Sequence, residues 1–225
     1  MKPNRWSAVI PAFNAADTIQ EVVSGVSAYI QENRILVVDD GSEDDTGKLV
    51  EETGAVLQQR LTNGGKGTAL REAFMHSVVQ DSDWVICLDS DGQHDPKMIP
   101  AFQKEASRDM CDLIIGNRSH DQGDMPLLRR FSNHTSSLLL SWRTGLNLPD
   151  IQCGYRAVRT SMLKPLNLKS ESYEIEVEMI LRSWKTNYRI GWIPILAVYQ
   201  GETSYLRKVP ETIRFLKLFA RSFYE

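Results

Sequence analysis

Short apolar runs that end in polar or acidic residues recur through residues 1–118, and a segment of helical spacing follows most of them. A strand is read from Trp6 to Ile10 in "WSAVIPAFN", stopped by Pro11. Then come "RILVVDDGS", "VLQQRL", "WVICLDSDGQHDP" and "CDLIIGNR". Between the first two lie Ile19, Val22, Val23, Val26 and Ile30, spaced as one face of a helix, with Asp17 or Thr18 as its cap. Ser42 is expected to cap the next helix and Gly54 to end it, and "NGGKGTALREAFMHSVVQ" reads as a glycine turn opening a further helix. Strand and helix alternating in this way predict an α/β fold: a Rossmann-like, mostly parallel sheet flanked by helices. In such sheets ligands sit beyond the carboxyl ends of the strands.

The second half is less regular. It reads as a helix from Leu127 to Arg143, a turn and strand in "LPDIQCGYRAVRTSML", a helix in "YEIEVEMILRSWKTN", a bent strand or strand pair in "YRIGWIPILAVYQ" and a terminal helix. No break in composition divides the 225 residues, so one domain is expected, with residues 1–118 as a binding half, 119–205 as a second half and 206–225 as an amphipathic helix. A formal net charge of −3 gives no reason to expect a nucleic-acid binder. Cys87, Cys111 and Cys153 lack a C-x-x-C spacing and read as small buried hydrophobes in a reducing compartment. "MKPNRWSAVIPAF" contains no leader-like apolar stretch, and no uninterrupted run approaches the ~18 apolar residues of a membrane span. The expectation is a cytoplasmic protein, peripheral to a membrane at most.

Carboxylates gathered at a strand end repel one another and need hydrogen bonds, cationic side chains or a metal ion. Alternation along the strand puts Asp89 and Asp91 on one side, with Gln93 next if the chain stays extended. Oxygen ligands of this kind suit Mg²⁺ or Mn²⁺. An acidic turn in solvent is the plainer reading of Asp-x-Asp alone; the second acidic strand end, Asp39 and Asp40, argues against it. "NGGKG" is not a Walker loop, but glycines opening a helix present backbone N–H groups, and Lys66 adds charge.

"VIPAFN", "VVDDGSEDDT", "NGGKGTALREA", "LDSDGQHDP", "IGNR" and "DIQCGYRA" occur in an order and spacing that resembles the family-two glycosyltransferases, above all the dolichyl-phosphate mannose synthase and polyprenyl-phosphate glycosyltransferase branch. The resemblance runs to about Ser204 and implies a GT-A fold, a GDP- or UDP-sugar donor, a polyprenyl-phosphate acceptor and inversion at the anomeric carbon. It implies that Pro11, Phe13, Asn14, Asp39 or Asp40, and Lys66 line the nucleotide-sugar pocket, and that Asp89, Asp91 and Gln93 hold Mg²⁺ or Mn²⁺. Arg118, with Arg129 or Arg130, is implied to bind the acceptor phosphate; for the latter two a plain helix-surface role stays open. Phe13 and Ala15 depart from the tyrosine and glutamate often found in the family.

The expected catalytic set is Asp91, Arg118 and Asp150. A lipid phosphate is already ionised and needs no strong base, whereas a sugar hydroxyl does. Asp150 is the one obvious base in the second half, with a positioning role or a turn as its other readings. Strand alternation points His94 away from Asp89 and Asp91, and His120 reads as surface loop; Glu174 and Glu176 lie on a helix where the resembled family has a similar acidic segment, with plain helix surface and a site role as their two readings. Transfer to a glycan hydroxyl, or a non-catalytic nucleotide-sugar binder, is the alternative function. Val209, Ile213, Leu216, Phe219 or Ala220, and Phe223 form an apolar stripe among Arg207, Lys208, Arg214, Lys217 and Arg221. Such a helix meets a membrane, the core, a membrane subunit or a second copy of the chain.

Overall fold

The structure, a computed structural model, describes residues 4–118, 127–196 and 208–224, and only the backbone of 127–131 and 208–210. Its centre is β1 (Trp6–Ala12), with all seven residues buried between β2 (Ile35–Asp39) and β4 (Trp84–Cys87). Outside β2 lies β3 (Val56–Gln59). Beyond β4 come β6 (Arg156–Arg159), β5 (Leu113–Asn117) and β7 (Ile190–Pro194), giving the order β3-β2-β1-β4-β6-β5-β7. Every neighbouring pair is parallel except those of β6, which runs antiparallel to both β4 and β5.

The helices are α1 (Ile19–Ser27), α2 (Thr46–Glu51), α3 (Lys66–Met75), α4 (Ser77–Gln80), α5 (Ile99–Ser107), α6 (Leu127–Thr144), α7 (Thr160–Leu166), α8 (Ile175–Lys185) and α9 (Lys208–Arg221). Right-handed crossovers put α1 and α2 on one face of the sheet and α3 on the other, because the chain reverses direction to reach β4. The reversal leaves a crevice beyond the carboxyl ends of β1 and β4, the place where open α/β sheets take ligands. The acid-tipped strands end there.

Several local expectations change. Pro11 does not stop β1; it pairs in register with Val38. It lies past the last β1–β4 pair, Val9 with Cys87, so a missing N–H is tolerated there. Ser42 does not cap α2, which begins at Thr46; its hydroxyl turns back to Asp39 instead. The helix after the glycine turn breaks at His76, whose backbone is extended, into α3 and α4. A single strand, β7, forms from the "YRIGWIPILAVYQ" segment among the described residues. The three cysteines are buried and unbridged, and burial pushes the Cys87 and Cys153 thiols up to about 12.

Arg156, at the start of β6, is 2% exposed. It donates to three backbone carbonyls: Nε to Cys153 (2.7 Å), Nη2 to Ile151 (2.8 Å) and Nη1 to Glu176 (2.5 Å). One guanidinium thus ties the turn before β6 to the first turn of α8. Replacing it by Met (Arg156→Met) keeps the bulk but strands three buried acceptors. The expected loss is about 3–5 kcal/mol, read as a lower urea midpoint in equilibrium unfolding.

Candidate active site

Four strand ends and the loops after them build the rim. Asp39, at the end of β2, is fully buried and accepts from the Ser42 backbone N–H (2.9 Å) and hydroxyl (2.5 Å), and from Gln59 Nε2 (3.3 Å). Asn14 takes a left-handed backbone (φ 50°); its Oδ1 accepts from Glu43 N–H and its own N–H donates to Ser42 Oγ, both at 2.9 Å. These bonds lock the loops after β1 and β2 together and leave Phe13 45% exposed beside them.

Asp40 does something different. It pairs with Arg60 and accepts from the N–H groups of Gly64 (3.0 Å) and Gly65 (2.7 Å). Gly65 has φ +88°, and a Cβ there would lie 2.5 Å from the Glu171 carbonyl; one on Gly67 would lie 2.5 Å from that of Ser170. The "NGGKG" glycines are therefore required by packing between Asp40 and residues 170–172. Glu178 completes the clamp by accepting from the N–H groups of Lys169 and Ser170.

This clamp aims Lys66. Its ammonium lies 2.5 Å from Asp89 Oδ1 and 2.7 Å from Glu176 Oε1, and 5.5 Å above the Tyr173 ring. Burial alone would lower its pKa, yet the Asp89 and Glu176 carboxylates raise it, so the amine stays charged. Burial likewise opposes charge on Asp89, but Lys66 holds that carboxyl at about 2. Gly154 makes the approach possible: a Cβ there would sit 2.8 Å from Lys66 Nζ and 2.9 Å from Asp89 Oδ2.

Asp89 and Asp91 both lie at this rim, half-buried, and Asp91 Oδ1 accepts from the Gln93 N–H at 3.0 Å. Asp89 Oδ2 faces His94 Nε2 at 4.0 Å, beyond hydrogen-bond reach, while Oδ1 serves Lys66. Among the described residues no three His, Cys, Asp or Glu side chains would enclose a metal unaided. Two carboxylates, an amide and a ligand's phosphate oxygens are nonetheless an all-oxygen set that fits Mg²⁺ or Mn²⁺. His94 corrects the alternation argument. The chain turns after Ser90, so His94 folds back, 5% exposed, and its Nδ1 accepts the Asp89 N–H at 3.0 Å. Burial lowers its pKa to about 4, so it stays neutral and orients the acidic turn.

A second charged station lies at the end of β5. Arg118 grips Asp150 with two hydrogen bonds, Nε to Oδ2 at 2.7 Å and Nη2 to Oδ1 at 2.9 Å. Both are buried, at 5% and 1% exposure. Burial would raise the Asp150 pKa, but Arg118 outweighs it and the carboxyl lies below its ordinary value. Asp150 is therefore a fixed partner of Arg118, and the geometry supports a positioning role rather than that of a base. Arg129 and Arg130 fall in the first turn of α6, and their side chains, like His120, lie outside the described residues.

For Glu176 the structure favours the site reading over the helix-surface one, since its Oε1 lies 2.7 Å from Lys66 Nζ. The alternating acids of "YEIEVEM" sit on a helix start that is buried nearly all round, and only the fold shows that Lys66 meets them. Near them on α9 is Glu211. Burial raises its carboxyl to about 7, with Glu176 and Glu174 adding repulsion against the opposing pull of Arg214. A folded pKa raised from 4.5 means that α9 docking is strongest below about pH 4.5 and weakens as pH rises through about 7. Amide exchange of α9 should therefore be faster at pH 8 than at pH 5.5 after correction for intrinsic rates, and Glu211→Gln should remove most of that difference.

Comparison with known proteins agrees with this geometry. The sequence profile of glycosyl transferase family 2 matches residues 7–166. An undecaprenyl-phosphate mannosyltransferase of Micrococcus luteus is 32% identical over 205 residues, covering 86% of this chain and 84% of that protein. A UDP-N-acetylglucosamine–dolichyl-phosphate N-acetylglucosaminyltransferase of Methanococcus voltae is 28% identical, covering 95% of this chain and 92% of that one. Among solved structures, glucosyl-3-phosphoglycerate synthase from Mycobacterium tuberculosis in complex with Mn²⁺, UDP and phosphoglyceric acid superposes with a TM-score of 0.74 at 19% identity, over 98% of this chain and 77% of that one. At that identity the likeness establishes the GT-A fold.

Proposed function

The chain belongs to glycosyl transferase family 2, and from that premise we propose that it moves a sugar from a GDP- or UDP-sugar onto a polyprenyl phosphate, with inversion. One observation carries the acceptor class. The carboxylates buried at the rim are already committed: Asp39 to Ser42 and Gln59, Asp40 to Arg60, Glu176 to Lys66 and Asp150 to Arg118. A hydroxyl acceptor needs a base, whereas a phosphate monoester, with a second pKa of ~6, arrives ionised. The polyprenyl-phosphate relatives support the same reading.

In this reading Pro11, Phe13, Asn14 and Asp39 border the nucleotide, and Asp40 holds the glycine turn. Lys66 keeps its charge beside the diphosphate, where negative charge grows as the bond from the anomeric carbon to the diphosphate oxygen breaks. When bound by Asp89, Asp91 and Gln93, Mg²⁺ or Mn²⁺ supplies further Lewis-acid stabilisation to that leaving group. Arg118, set by Asp150, offers a planar fork to the acceptor phosphate. A phosphate oxygen bonds to the anomeric carbon from the opposite face as the leaving electron pair goes to the diphosphate, and no proton need move.

Transfer of radiolabelled sugar to undecaprenyl phosphate, run separately with UDP- and GDP-sugars, tests this directly. Excess EDTA is expected to abolish it, and Asp91→Ala to lower kcat at least a hundredfold. Arg118→Ala should raise the acceptor KM or lower kcat by about a hundredfold while leaving the donor KM nearly unchanged. Label that appears only on glycan hydroxyls would overturn the acceptor class. One observation favours that second reading: with a pKa near 7, Glu211 is a carboxylate suited to acting as a base. Loss of kcat in Glu211→Gln with a hydroxyl acceptor would support it.

The acceptor's lipid tail cannot leave the bilayer, so the reading includes peripheral membrane contact. Phe215, Leu218 and Phe219 of α9 pack on the core, while Ile213 and Leu216 face outward among Arg214, Lys217 and Arg221. Neighbouring α6 buries Asn133, Ser136, Ser137 and Thr144 beside Leu140, whereas Leu138, Leu139 and Trp142 are exposed, Trp142 by 74%. Trp142 meets Phe223 at 6.3 Å and joins the two apolar faces. Apolar residues with a basic surround suit an anionic lipid surface. Among the described residues no helix is long and apolar enough to cross a membrane. The protein should co-sediment with anionic liposomes at low salt and be released by high salt, and Leu138→Glu/Trp142→Glu should abolish binding.

A further inference from the structure

Asn133 lies on the inward face of α6, 9% exposed, and its Nδ2 donates to Asp150 Oδ1 at 3.1 Å. That oxygen also takes the Arg118 Nη2 bond at 2.9 Å and faces the Gln152 N–H at 3.3 Å. Asp150 is thus held from three sides: by the end of β5, by α6 and by the turn leading to β6. Ser136, one turn further along α6, accepts from Gln152 Nε2 at 3.3 Å and ties the same turn to the same helix. Among the described residues, the buried Asn133 Oδ1 has no hydrogen-bond partner. Leaving a buried carbonyl unpaired costs free energy, and a plain apolar residue at this helix position would avoid that cost. What Asn133 alone provides here is the Nδ2 donor to Asp150.

We infer that Asn133 is a positioning residue for acceptor recognition: it fixes Asp150, and through it the plane of the Arg118 guanidinium, so that the fork meets the acceptor phosphate. The inference rests on the acceptor reading given above. The Arg118 guanidinium and its backbone N–H, the latter at 3.3 Å from Oδ2, already tie Asp150 to the end of β5, and Asn133 adds the one side-chain donor that reaches the carboxylate from α6 among the described residues. That donor comes from the helix that exposes Leu138, Leu139 and Trp142 on its far side.

Asn133→Asp and Asn133→Ala test it. The first is isosteric and replaces a donor by a carboxylate facing Asp150. Like charges at that distance cannot both persist without cost, so one carboxyl retains its proton to a higher pH. The acceptor KM of Asn133→Asp should rise about tenfold to a hundredfold at pH 8 with the donor KM unchanged, and should recover toward wild type as pH falls to about 5.5. Asn133→Ala should show a smaller rise in acceptor KM without the pH recovery. A separate readout needs no substrate: the ¹⁵N-edited Nε–H signal of Arg118, identified by its loss in Arg118→Lys, should be protected from solvent exchange in the wild type and exposed in both variants. Unchanged Arg118 protection and unchanged acceptor KM in both would overturn the inference, as would equal rises in both KM values. If wild-type protein transfers no sugar to any polyprenyl phosphate, the acceptor reading fails, and the Arg118 signal still decides what Asn133 does.

Discussion

Lys66 between Asp89 and Glu176 is the contact from which the rest of the rim follows. A carboxylate at the end of a buried strand is costly unless compensated, and Asp89 is compensated from across the crevice. The ammonium that does so belongs to the first residue of α3, and the second carboxylate to α8, 110 residues further along the chain. The triad therefore requires the glycine turn, the end of β4 and the start of α8 to meet. Each approach needs an absent side chain, at Gly65, Gly67 and Gly154. Buried ion pairs of this kind gain little net stability over apolar packing, so a triad of them at a strand-end rim points to function more than to fold maintenance.

The rim sorts its charges by task. Asp40 is used in folding: it closes the glycine turn together with Arg60. Arg156 is used likewise, saturated by three carbonyls and unavailable to a ligand. Lys66 and Arg118 differ from them. Each is held by carboxylates that fix its direction, Lys66 by Asp89 and Glu176 and Arg118 by Asp150. A side chain oriented before the ligand arrives loses less entropy on binding, which is how fixed dipoles and charges favour a transition state over its ground state.

The parallel half was legible because a buried parallel strand announces itself: runs such as "ILVVD" and "WVIC" are apolar throughout and end in acid. That Asp89, Asp91 and Lys66 share one rim follows for the same reason, since strand ends project onto one side of the sheet. Local chemistry was harder to read. Ser42 looked like a helix cap because serine often is one, but the stronger acceptor was Asp39, three residues back. His94 was misread because the alternation rule holds only while the chain stays extended, and Gly92, with φ +74°, turns it. A site role for Glu176 is one of two readings the sequence leaves open, and Asn133 carries no signal there at all. Their roles depend on contacts with Lys66 and Asp150 that tertiary packing alone creates.

The antiparallel strand explains how two charged stations can share one crevice. A sheet that stayed parallel beyond β4 would bring each later strand to the rim only at its carboxyl end. β6 runs the other way, between β4 and β5, so its amino end and the turn before it lie at the rim. That turn carries Asp150, Cys153 and Gly154 in sequence. From the gap between the strands Asp150 reaches one way to Arg118 at the end of β5, and Gly154 lies the other way against Lys66 and Asp89 at the end of β4. One reversed strand thus lets a five-residue stretch border both charged stations, Lys66 with Asp89 and Arg118 with Asp150. A shift in the register of β6 would disturb both together, because the same backbone fixes their separation.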